Sequence, residues 1–142
     1  MYIRQISVFV ENKGGELAQI TDFLYKHNVN LRALSIADTA EFGILRIIVE
    51  NPEETLSLLK NEGFTCTITD MIAVQMKDEP GSMAKIIRAL ADNNIFVEYA
   101  YAFPTEQKGH AILIFRVDNN AAAEYVLAST SFELKGSEIL NS

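Results

Sequence analysis

The sequence has very little cysteine, no tryptophan and no apolar run long enough to cross a membrane as a helix. Its only cysteine, Cys66, excludes an internal disulfide and leaves a thiolate metal cluster without ligands. A spanning helix needs roughly 20 apolar residues, and the N-terminus lacks the basic start and cleavage site of a signal peptide. We therefore expect a cytoplasmic protein without a metal or another cofactor.

Positive charge is also scarce. The chain of 142 residues carries 12 Lys and Arg against 19 Asp and Glu, and its basic residues are scattered. Binding to a nucleic acid backbone requires a concentrated positive surface that releases counterions. Nucleic acids and anionic membranes are therefore excluded as expected partners.

An internal repeat is the main feature of the sequence. The stretch VENKGGELAQI (residues 10–20) returns in altered form as MKDEPGSMAKI (residues 76–86), at an offset of 66. With this offset and no gap, identical residues include Val8 and Val74, Gly15 and Gly81, Asn28 and Asn94, Gly43 and Gly109, and Ile48 and Ile114. Chance would rarely keep the glycines and a helix face in one register, so we interpret the pattern as a duplication.

Each half alternates between strand and helix periodicity in the order βαββαβ. A right-handed strand, helix, strand crossover, taken twice, predicts an antiparallel sheet with both helices on one face, the ferredoxin-like arrangement. The fold class is therefore α+β, with two modules at residues 1–70 and 71–142. Only Asp70 separates the last strand of the first half from the first strand of the second, which argues against a flexible tether.

The repeated turn between the first strand and first helix is the candidate binding feature. In the second copy Pro80 is predicted as the first helical residue, with Asp78 as the cap of the exposed amides. Gly81, and the pair Gly14 and Gly15 in the first copy, would let a ligand approach the backbone. Free N–H groups and the helix dipole favour a carboxylate there. The alternative is that the turn only starts a helix.

The complete order of elements, with the motif D-x-P-G-x-M-A-K-I, resembles the ACT domain, a small-molecule sensing module. The resemblance covers nearly the whole chain, which therefore looks like two ACT domains in tandem. The second copy matches the turn motif, whereas the first has Gly14 where the family usually has Pro. The resemblance implies that the modules pair side by side into an eight-stranded sheet and bind amino acids between a turn and a neighbouring module.

The resemblance also implies particular site residues. In serine-binding members, an Asn three places before the glycine and another just after the helix contact the ligand, and Asn12 and Asn30 occupy those places. The second copy has Asp78 and Phe96 there, which puts an equivalent second pocket in doubt. The predicted ligand-binding residues are Asn12, Lys13, Gly14, Gly15, Glu16, Leu17, Asn30, Asp78, Glu79, Pro80, Gly81, Ser82 and Met83.

Other residues allow different interpretations. Cys66 is expected to be a small strand side chain, and His27 and His110 are expected to have capping or solvent-facing roles because neither has a catalytic partner nearby in sequence. Adjacent Asp78 and Glu79 rarely converge on one substrate. The alternating Tyr99, Tyr101 and Phe103 could stack on bases, but the acidic composition favours packing against small residues of the other half.

We accordingly predict a non-catalytic sensor that binds an amino acid, forms homodimers and modulates a partner enzyme in trans. Two alternatives are a ligand-free structural interaction module and a regulatory subunit of an amino-acid biosynthetic enzyme. A small ferredoxin-like enzyme is a third, for which the sequence shows no nucleophile and base constellation.

Overall fold

A computed structural model describes residues 2–11, 14–38, 42–130, 132–136 and 138–139. Within these residues the chain forms seven strands and four helices. In chain order they are β1 (Ile3–Glu11), α1 (Glu16–Lys26), β2 (Ala33–Asp38), β3 (Phe42–Ile48), α2 (Pro52–Asn61), β4 (Thr65–Lys77), α3 (Ser82–Asp92), β5 (Val97–Pro104), β6 (His110–Val117), α4 (Asn120–Ser129) and β7 (Glu133–Lys135).

The chain forms two compact units. The first is Arg4–Thr69, and the second combines Met1–Ile3 with Asp70–Ser142. An α+β composition with antiparallel strands is thereby confirmed. The domain boundary between residues 70 and 71 stays a prediction.

The first unit has the strand order β2-β3-β1-β4. Strand β3 pairs antiparallel with β1 and β2, so that Val8 lies opposite Leu45. Leu24 of α1 and Leu59 of α2 are buried in one apolar cluster with these two strand residues. Both helices therefore pack on the same face of the sheet, as the one-faced apolar pattern predicts.

The second unit repeats this arrangement with the order β5-β6-β4, and β7 pairs with β4 on its other side. Val74 lies opposite Leu113. Leu90 of α3 and Leu127 of α4 join them in a second apolar cluster. The two units thus bury equivalent residues at equivalent places.

The backbone confirms the duplication around the first helix of each unit. Helices α1 and α3 begin and end at residues that differ by the offset of 66. Gly15 has φ 89° and ψ −13°, and Gly81 has φ 90° and ψ −11°. Asn28 and Asn94 both have φ 57°, the left-handed conformation that Asn tolerates at a helix C-terminus.

The ungapped offset is wrong beyond the hairpin of each unit. Val8 pairs with Leu45 and Val74 with Leu113, so equivalent residues there differ by 68. The connection between β5 and β6 is two residues longer than that between β2 and β3. The matches of Gly43 with Gly109 and of Ile48 with Ile114 are therefore incorrect.

The predicted strands on either side of Asp70 form one continuous strand, β4, of 13 residues. This corrects the expected eight strands to seven among the described residues. The reason is that Asp70 carries no turn signal, so nothing interrupts the extended backbone. The side-by-side joining of the modules stays a prediction.

Candidate functional site

The turn between β1 and α1 exposes the start of a helix. Helix α1 begins at Glu16 after Gly15, which caps it in the left-handed conformation without a side-chain hydrogen bond to the first turn. A Cβ at Gly14 or Gly15 would meet no atom within 4 Å, so open space surrounds this corner. Asn12 and Lys13, two predicted ligand contacts, lie outside the described residues.

In both units, backbone N–H groups without an acceptor lie just after the capping glycine. Within the described residues, the N–H groups of Leu17 and Ala18 in α1 have no hydrogen-bond acceptor. The same holds for Met83 and Ala84 in α3. Each unit therefore presents two adjacent amide donors together with the positive end of a helix dipole.

The second turn differs from its predicted geometry. Helix α3 begins at Ser82, with Gly81 as its cap and no side-chain cap from Asp78. The predictions that Pro80 starts the helix and that Asp78 caps it are wrong. Gly81 follows Pro80 with φ 90°, which lies outside the helical range, so the helix begins only after this glycine.

Backbone hydrogen bonds fix this second turn. The N–H of Asp78 donates to the carbonyl of Gly109 at 2.9 Å, and Glu79 N–H donates to the Lys77 carbonyl at 3.0 Å. Gly109 has φ 82° at the end of the β5–β6 connection. The carbonyl of the hairpin glycine thus anchors the turn.

Asn30 lies far from the turn of its own unit. It follows the C-terminus of α1, whereas Gly15 precedes the N-terminus, and a helix of 11 residues is about 16 Å long. Asn30 lines a different groove of about 390 Å³, together with Asn28, Asn51 and Glu54. A single small ligand therefore cannot contact both Asn30 and the turn at Gly15 of the same unit.

Each unit also has a groove beside the exposed helix start. In the first unit it measures about 420 Å³ and is lined by Phe9, Val10, Glu11, Glu16, Gln19, Glu62, Gly63, Phe64 and Thr65. In the second it measures about 300 Å³ and is lined by Gln75, Met76, Lys77, Glu79, Ser82, Lys85, His110, Phe132 and Glu133. Of the predicted ligand contacts that the structure describes, Glu16, Glu79 and Ser82 line these two grooves.

Sequence reasoning missed most of the groove residues. Glu11 and Gln19 in the first unit correspond to Lys77 and Lys85 in the second at the offset of 66. The signal that could have found them is the change of charge between aligned copies. The prediction was based on residues that are identical in the two repeats, which reflect the shared fold. It did not consider the positions where the repeats differ in charge.

The residues with reactive side chains have structural roles. Cys66 is 5% exposed, and burial raises the pKa of its thiol, while the Lys60 ammonium lowers it by a smaller amount. The Nδ1–H of His27 donates to the Phe23 carbonyl at 2.9 Å at the end of α1, which confirms its capping role. Nδ1–H of His110 donates to the Lys108 carbonyl at 3.3 Å.

The described part of the chain contains no group of three or more His, Cys, Asp and Glu residues able to hold a metal ion. Among the same residues, the helices are too short or too polar to span a bilayer.

The aromatic residues of β5 share one face, as predicted. Tyr101 lies opposite Ile114 and Phe103 opposite Ile112, away from the face that packs on the helices. All three aromatic residues are partly buried, and the Tyr99 hydroxyl donates to Met71 Sδ at 3.8 Å. Their packing against the other half stays a prediction.

The repeated sequence was compared with models of known protein families. A family model described as an ACT domain pair matches residues 1–140. The chain belongs to this family. The resemblance inferred from the sequence is thereby confirmed. A search of curated proteins found no match.

Solved structures show the same fold. Protein BT0572 from Bacteroides thetaiotaomicron is 36% identical over 99% of this chain and 96% of its own, with a TM-score of 0.91. The regulatory subunit of aspartate kinase from Thermus thermophilus, in a ligand-free form, is 15% identical over 91% of this chain and 93% of its own, with a TM-score of 0.66. Aspartate kinase from Clostridium acetobutylicum, described as an allosteric enzyme, is 14% identical over 89% of this chain and 32% of its own, with a TM-score of 0.54.

Proposed function

We propose that this ACT domain pair is a non-catalytic regulatory protein that binds an amino acid and passes the signal to a partner protein. The observation that carries the proposal is the family match over residues 1–140. The amides that lack acceptors at the start of α1 and α3 support it, since they can receive a carboxylate.

The chemistry of the turns suits a zwitterion. Backbone N–H groups would hold the carboxylate, and an amide side chain such as Asn12 could accept from the ammonium group. An amino acid of about nine heavy atoms, at somewhat under 1 kcal/mol each, binds with a Kd of roughly micromolar to millimolar. Such an affinity suits a reversible metabolite sensor.

Each module is proposed to be ferredoxin-like, because the orders β2-β3-β1-β4 and β5-β6-β4-β7 follow that arrangement. The modules are further proposed to join side by side, and the protein to form a homodimer. The family resemblance supports both parts of this proposal.

Regulation would act on a partner enzyme in trans. The fold shared with a regulatory subunit of aspartate kinase is compatible with such a role. A ligand shifts a conformational equilibrium only through its different affinity for the two states. The ligand would therefore have to favour one arrangement of the protein, which the partner then recognises.

Thermal unfolding with each of the twenty amino acids at millimolar concentration tests the proposal. We expect one or a few to raise Tm specifically. Asn12→Ala should reduce that shift without lowering the Tm of the free protein, whereas Asn61→Ala, an exposed amide at the end of α2, should change neither. A Tm that no amino acid raises would contradict the proposal.

One observation favours a second candidate, a ligand-free interaction module. Strand β2 is an edge strand, and its Leu34 and Ile36 side chains remain 53% and 52% exposed. An exposed edge strand with apolar side chains can pair with another chain. Assembly that proceeds equally with and without every amino acid would favour this candidate.

A further inference from the structure

The groove of the second unit differs from its counterpart in charge. Lys77 ends β4, and Lys85 lies one turn into α3, and both line the groove of about 300 Å³. Within the part of the chain that the structure describes, neither lysine forms an ion pair or a side-chain hydrogen bond. Both lysines therefore face the groove without a direct ion pair to either of its two carboxylates, Glu79 and Glu133.

One of the two acidic groups in this groove is already compensated. Glu133 accepts from Lys135 Nζ at 2.8 Å and from Gln75 Nε2 at 3.2 Å. Glu79 is the other acidic residue of the lining. The lining with Lys135 thus carries a net positive charge, in a protein whose formal net charge is −7.

Among the described residues, the groove of the first unit has an acidic lining. Glu11 and Gln19 stand where the second unit has Lys77 and Lys85, and Glu16 and Glu62 add two more carboxylates. No Lys, Arg or His is among its described lining residues. The two grooves thus occupy equivalent places on a repeated backbone but present different charged side chains.

We propose that the groove of the second unit binds a small dicarboxylate, with Lys77 and Lys85 each holding one carboxylate. The inference deepens the proposed function, on which it rests, by assigning an acidic metabolite, such as an acidic amino acid, to one unit. The cavity suits a small metabolite, and the side chains of Met76 and Phe132 give it an apolar wall for the carbon chain. Exposed charges make the interaction weak and dependent on salt.

Titration of the ¹⁵N-labelled protein at low salt, followed by NMR, tests the assignment. The probes are succinate, L-aspartate, inorganic phosphate and L-lysine. We expect succinate and L-aspartate to shift the amide signals of Met76 to Lys85, and L-lysine to leave them unchanged. A phosphate response equal to that of succinate would show a non-selective anion site and overturn the dicarboxylate assignment.

Variants that each remove one positive charge distinguish binding in the groove from a general effect of protein charge. Lys77→Gln and Lys85→Gln should each weaken succinate binding roughly threefold to fivefold, as expected for exposed charge contacts. Lys108→Gln, which removes the same charge from the β5–β6 connection outside the groove, should have no effect. Equal loss in all three variants would overturn the assignment.

A sharper control introduces the two lysines of the second groove at the matching positions of the first. Glu11→Lys combined with Gln19→Lys should create succinate-dependent shifts in the first unit, while circular dichroism confirms that the variant is folded. If Lys77→Gln and Lys85→Gln bind succinate as tightly as the wild type does, this inference fails. Stabilisation by an amino acid in the thermal screen would then still support the proposed function, because that screen does not depend on the lysines.

Discussion

The two units have nearly the same backbone but different surfaces. Gly15 and Gly81 agree within 2° in both φ and ψ, and the helices that follow them have the same length. In contrast, the described lining of the groove beside Gly15 has three glutamates and no Lys, Arg or His, whereas the groove beside Gly81 is lined by two lysines, one histidine and two glutamates. The duplication therefore preserved what forms the helix start and changed what a ligand would contact.

The strands β2 and β5 differ in a related way. On the helix-packing face, β2 places Leu34 and Ile36 where β5 places Ala100 and Ala102. On the opposite face, β2 has the small residues Ala33, Ser35 and Ala37, whereas β5 has Tyr99, Tyr101 and Phe103. Large side chains thus occupy opposite faces of the equivalent strands. The equivalent strands therefore present different surfaces on both faces.

The largest expected effect tests the equivalence of the two cores. Ile20 and Ile86 are fully buried at matching positions of α1 and α3. Replacing either one with Ala removes apolar contacts and leaves a cavity, and should cost about 3 kcal/mol. Urea unfolding of Ile20→Ala and Ile86→Ala measures both costs. Values that differ by more than about 2 kcal/mol would break the equivalence.

A smaller effect is expected at the two helix starts. Gly15→Ala and Gly81→Ala should each cost about 1–2 kcal/mol, because an L side chain is strained at these positive φ angles. No atom lies within 4 Å of the added Cβ, so the cost would come from the backbone alone. Gly14→Ala, in equally open space without a positive φ, is the control and should change stability by less than about 0.5 kcal/mol.

The smallest effect distinguishes the second helices of the two units. The side chain of Asn119 accepts from the Ala122 N–H at 3.0 Å, while Asn51 at the start of α2 makes no such bond. Asn119→Ala should therefore cost about 1 kcal/mol, and Asn51→Ala only a few tenths. Equal losses in denaturant unfolding would show that this difference between the units has no energetic consequence.

Much of the fold could be predicted because local signals agree with the tertiary structure. Asn51, Pro52 and Gly63 mark the limits of α2, and the structure places Asn51 as its cap, Pro52 as its first residue and Gly63 at φ 98° just after it. The apolar periodicity of α1 and α3 likewise predicted their buried faces, including Ile20 and Ile86.

The errors arose where the sequence carries no local signal. A longer loop shifted the register after the hairpin, and only strand pairing such as Val74 with Leu113 reveals that shift. The start of α3 was misplaced because proline is common at a first helical position, whereas here the left-handed Gly81 follows Pro80 as the cap and the helix begins at Ser82. The lysines of the second groove come from a strand and a helix that only the fold brings together.

The central claim is that the open amides at a helix start receive the carboxylate of an amino acid. The direct measurement is a ¹⁵N NMR titration, with each of the twenty amino acids, that follows the amide signals of Leu17, Ala18, Met83 and Ala84. We predict that at least one amino acid shifts a pair of these signals and saturates at micromolar to millimolar concentration. Unchanged signals at all four amides with every amino acid would contradict the claim.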